Sequence, residues 1–97
     1  MPPEGFRYIK VSGMPPNSTR SDLIAVFHDN NLGIVPSGVW VYPDIEGGVF
    51  LLPWISSGVE NMISKLNSNN LKAELFPLDH LNLFQFAIEH HLDDESQ

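Results

Sequence analysis

Apolar residues recur at every second position between Phe6 and Ser12, then every third or fourth between Leu23 and Phe27, and this change of period repeats along the chain. A period of two sends alternate side chains to opposite faces of a strand, whereas a period of 3.6 lines one side of a helix. The order of periods therefore dictates the order of elements. In the first strand Ile9 and Val11 share one face, and Tyr8 and Lys10 the other. Gly13 to Asn17 breaks it as a turn. Thr19, with Asp22 three residues on, is a capping box that starts a helix carrying Leu23, Val26 and Phe27, ending near Asn30-Asn31 or Gly33. Val39 to Tyr42 predicts a second strand, Pro43 to Gly47 a turn, and Gly48 to Leu52 a third strand. Ser57 and Glu60 form a second capping box ahead of Val59, Met62, Ile63 and Leu66, one apolar helix face. Asn67 to Asn70 reads as a loop, Leu71 to Phe76 as a fourth strand, and Asp79 as the cap of a last helix reaching about His91.

The order is βαββαβ with an appended helix. It predicts an α+β, ferredoxin-like sandwich: a four-stranded antiparallel sheet with two helices on one face and the other face free. The expected organisation is a flexible N-terminus over 1–5, the sandwich over 6–78, a C-terminal helix over 79–92 and an acidic tail over 93–97. A chain of 97 residues, 42% hydrophobic, suits one domain with one packed core. Without cysteine, neither disulfides nor thiolate metal sites are possible. No apolar run approaches the ~20 residues of a membrane helix, and no signal-peptide pattern opens the sequence. The expected compartment is cytoplasmic or nuclear, with no membrane partner. Five Lys and Arg against twelve Asp and Glu give a net charge of −7, a disadvantage for any domain that must displace counterions from phosphates.

Over residues 6–78 the chain resembles an RNA-recognition motif. The stretch IKVSGMPPNSTRSDLIAVF is similar to that family's first strand, its GLP turn and its first helix, and VENMISKLN to its second helix. The stretch VPSGVWVYPDIEGGVFLLPW lies nearer the quasi-RRM branch. The resemblance implies a sheet face on which aromatic side chains stack RNA bases. Those aromatics are missing. Lys10 stands at the second position of the RNP2-like hexamer Ile9 to Met14. Val49 and Leu51 stand at the third and fifth positions of the RNP1-like octamer Gly47 to Trp54, which Gly47 opens where a basic residue is usual. Each stacked base contributes about 1–3 kcal/mol, so their loss removes most sheet-borne RNA affinity. The quasi-RRM branch binds RNA through loops instead, but the aromatic that follows its GLP turn is replaced here by Pro16.

The free face has nevertheless stayed apolar. Strand parity places Tyr8, Lys10, Val49 and Leu51 on it, with Trp40 and Tyr42 beside them, while Trp54 shares the inward parity of Phe50 and Leu52. Each aromatic offers about 150–250 Å² of surface, too much for a monomer to leave bare. Three occupants fit: the chain's own last helix, a protein partner, or RNA. The last helix has two apolar sides, Leu81, Phe84, Ile88 and Leu92 on one, Leu83, Phe86 and Ala87 on the other. One side would cover the domain and the other a partner, and the sequence leaves open which does which. The expected protein interface comprises Tyr8, Trp40, Tyr42, Val49, Leu51, Leu83 and Phe86, and the possible RNA contacts are Arg7, Lys10 and Lys72.

No catalytic residues or cofactor are expected. Asp22 and Glu60 are taken up by helix caps, and Gly47-Gly48 is too short for a phosphate loop. His90 and His91, being adjacent, point in different helical directions, so no metal site is expected either. The expected function is a non-enzymatic protein–protein interaction module, a scaffold in an RNA-processing ribonucleoprotein complex. Its partner would be another protein domain, such as another RNA-recognition motif or a second copy in a dimer. The alternative is weak single-stranded RNA binding through loops and the basic residues.

Overall fold

Strand β1, Phe6–Ser12, buries Ile9 and Val11 towards one side and Tyr8 towards the other, as its alternation requires. The structure is a computed structural model that describes residues 6–42, 49–78, 80–90 and 92–94. The expected N-terminal tail over 1–5, the turn from Pro43 to Gly47, the Asp79 cap and His91 lie outside the described residues. After β1 the chain turns through Gly13 (φ +91°) and Asn17 (φ 65°), residue types that tolerate the left-handed region. Helix α1, Arg20–Asp29, opens on the predicted capping box. The Thr19 N–H donates to the Asp22 carboxylate at 2.8 Å, and the Asp22 N–H donates to Thr19 Oγ1 at 3.4 Å. Leu23 and Phe27 point inward, and the helix stops at Asn30, whose side chain donates to the Val26 carbonyl at 2.9 Å.

Strand β2 is short, Trp40–Tyr42, while β3 runs on past Leu52 through Pro53 and Trp54 to Ile55. A proline inside a central strand needs a reason, because it brings no ladder donor. Register supplies it. Phe76 N–H donates to the Tyr8 carbonyl, so Arg7 and Ile9 turn their amides towards β3, opposite Trp54 and Leu52. Pro53 therefore faces the β2 side, beyond Trp40, where that ladder has already ended. Gly38 (φ +83°) passes close there; a Cβ on it would sit 3.5 Å from Pro53 Cγ.

Helix α2, Val59–Ser68, buries Val59, Met62 and Leu66. The expected capping box of Ser57 and Glu60 does not form. A 3-10 turn over Ser56–Gly58 precedes the helix and moves the cap position to Gly58, which offers no side chain. Strand β4 is Lys72–Leu75, helix α3 is His80–His90, and a two-residue strand β5, Asp93–Asp94, follows.

The sheet order is β4-β1-β3-β2-β5, each neighbour antiparallel. The four expected strands are joined by a fifth, because Asp93 and Asp94, expected as a solvated tail, pair with Val41 and Trp40. The fold is α+β, compatible with a ferredoxin-like sandwich. Beneath α1 and α2 lies the larger core, with Ile9, Val11, Leu23, Phe27, Phe50 and Leu52 at its centre and Trp54 packed partly against it. A second apolar cluster occupies the opposite sheet face, so β3 is buried on both sides.

Candidate interaction surface

The second cluster is built from the face that strand parity marks as free. Tyr8, Val49 and Leu51 project from β1 and β3 and meet Leu83 and Ala87 of α3, with Phe76 and Leu92 completing the group. Trp40 and Phe86 pack against it, half-buried. Tyr8 is only 3% exposed, and Leu51 and Leu83 not at all. Of the seven residues expected to meet a protein partner, six thus come together, but inside one chain. The face is closed by α3 rather than offered to a partner. The seventh, Tyr42, pairs through its backbone with Val49, and its side chain lies outside the described residues.

The structure decides what the sequence leaves open, which side of α3 meets the sheet. Leu83 and Ala87, one helical turn apart, face the sheet, whereas Ile88 is 71% exposed. The reason is steric and chemical at once. Ala87 allows the helix to approach closely, Leu83 fills the space beside Leu51, and Phe86 sits edge-on to Phe76 with ring centroids 5.1 Å apart. The His90 ring then stacks on the outer side of Phe86 at 4.1 Å. Phe76 is a member that sequence reasoning missed. Its signal was the register of β4, since Lys72, Glu74 and Phe76 alternate onto the face that carries Lys10 and Tyr8.

The three possible RNA contacts do not converge. Arg7 has the parity of Ile9, facing α1 and α2, and its guanidinium donates to the Phe76 carbonyl at 3.4 Å. Lys10 and Lys72 do share the α3 side of the sheet, but Lys10 stands opposite Glu74, an acid that offsets its charge. An open cavity of about 300 Å³ lies beside the turn between β1 and α1, lined by Met14, Pro15, Pro16, Asp22 and Val26 among others. It has no cationic lining residue and carries the Asp22 carboxylate, so it is poorly suited to a phosphate.

Among the described residues no cluster of three or more metal-ligating side chains occurs, and no helix is long and apolar enough to cross a membrane. Among the described residues, the exposed large apolar side chains besides Ile88 are Ile34 (87%), Ile55, Leu75 and Ile24. Compared with protein-family models, with curated proteins and with solved structures, the chain finds no match.

Proposed function

We propose that this chain is a non-enzymatic protein-association module of RNA-recognition-motif type, working as a scaffold within an RNA-processing complex, whose sheet face does not read RNA. The observation that carries the reading is the closure of that face: Leu83 and Ala87 of α3 lie where bases would have to stack, over Tyr8, Val49 and Leu51. A base could enter only by displacing an apolar helix face, and the positions where the family carries its stacking aromatics hold Lys10, Val49 and Leu51.

The surface assigned here to a partner is the outward side of α3, where Ile88 is exposed. The charge of this part of the sequence indicates the partner's chemistry. After Lys72 the chain has no Lys or Arg, while Glu74, Asp79, Glu89, Asp93, Asp94 and Glu95 are acidic. A protein segment with apolar side chains flanked by basic ones complements so acidic a stretch of sequence; a second copy, equally acidic, is disfavoured by like-charge repulsion. The test is affinity capture with wild type and Ile88→Asp in parallel, with melting temperatures measured on both. Partners that bind wild type and are lost from an equally stable Ile88→Asp support the reading. Equal capture by both proteins contradicts the assignment of this surface.

RNA-binding is tested separately. Fluorescent single-stranded oligonucleotides titrated at physiological salt should bind no tighter than ~100 μM, given the missing stacking residues and the net charge of −7. Low-micromolar binding that is lost in Lys10→Glu would favour the RNA alternative.

A further inference from the structure

Strand β4 is an edge of the sheet, and half of its backbone groups face away from β1. Phe76 donates to the Tyr8 carbonyl, so residues 72, 74 and 76 turn towards β1, and Ala73 and Leu75 turn outward. Such outward groups are a template for another strand unless something occupies them. At Ala73 something does. The Asn67 side chain, on the last turn of α2, accepts from the Ala73 N–H at 2.8 Å through Oδ1 and donates to the Ala73 carbonyl at 3.2 Å through Nδ2. A single side-chain amide thus makes both hydrogen bonds that one residue of a neighbouring strand would make.

We propose that Asn67 guards the β4 edge, and that its amide is what prevents β4 from pairing with the β4 of a second copy. Removing it would leave Ala73 and Leu75 as two consecutive outward-facing pairing positions, with the half-exposed Leu75 side chain beside them. The other edge is blunted by different means: β5 is only two residues long and both are aspartates. The inference is independent of the function proposed above, because it concerns the opposite end of the sheet from β2 and β5 and does not involve α3.

The experiment is sedimentation over a range of concentrations for Ile88→Asp, which silences the outward side of α3, with and without Asn67→Ala. Asn67→Ala should add concentration-dependent self-association absent from the parent. Adding Ala73→Pro should abolish it, since that proline removes an outward N–H while leaving the β1 ladder intact. Hydrogen exchange gives a second readout in the monomer at low concentration, where the Ala73 amide of Asn67→Ala should exchange roughly tenfold faster. Asn67→Asp, which keeps the acceptor but not the donor, should fall between the two in exchange rate. The proposal is overturned if Asn67→Ala associates no more than its parent, or if the gain survives Ala73→Pro.

Discussion

Thr19 and Ser57 carry the same sequence signature, a hydroxyl followed three residues later by an acid, and only one of them caps a helix. The difference is local backbone. Nothing intervenes between Thr19 and its helix, whereas the 3-10 turn at Ser56–Gly58 puts Ser57 one position too early. Thr19→Ala should therefore cost about 1 kcal/mol of folding stability, and Ser57→Ala less than about 0.5 kcal/mol. Urea denaturation of the two variants distinguishes them; equal losses would mean that the Thr19 bonds contribute nothing. Parity is the other residue-scale signal, and it was legible. Tyr8, Val49 and Leu51 were assigned to one face from alternation alone, and they do lie together. What alternation cannot express is the occupant of a face, because that depends on a segment distant in the chain.

Helix α3 shows where reading at the scale of an element stops. Its two apolar sides are visible in the sequence, yet hydrophobicity alone does not rank them, since both contain a phenylalanine and a large aliphatic residue. The choice follows from shape: the side with Ala87 lets the helix come close to the sheet, and Phe86 finds Phe76. Leu83→Ala should destabilise the fold by about 2–4 kcal/mol, because a fully buried leucine leaves a cavity when truncated. For a domain of this size that lowers Tm by roughly 10 °C or more. Ile88→Asp, on the exposed side, should move Tm by no more than about 2–3 °C. Thermal melts monitored by circular dichroism would contradict this account if the two variants melted together. The short β5 was missed for a related reason. Asp93 and Asp94 have poor strand propensity, and they pair with β2 because α3, docked across the sheet, delivers the chain to that edge.

At the scale of the whole molecule, the sheet is sandwiched between α1 and α2 on one side and α3 on the other, and this arrangement determines what the surface can do. The order of strands and helices was legible because the two hydrophobic periods alternate cleanly from Phe6 to Leu75. The closed face was not, because an apolar sheet surface has the same sequence pattern whether a helix, a partner or RNA covers it. The account stands on α3 lying over Tyr8, Val49 and Leu51. Nuclear Overhauser effects between side chains measure that contact directly in solution. Cross-peaks from the Leu83 and Ala87 methyl groups to the Tyr8 ring and to the methyls of Val49 and Leu51 are the predicted result. Absence of these cross-peaks, with the Tyr8 ring accessible to a soluble paramagnetic agent, would show an open sheet face and contradict it.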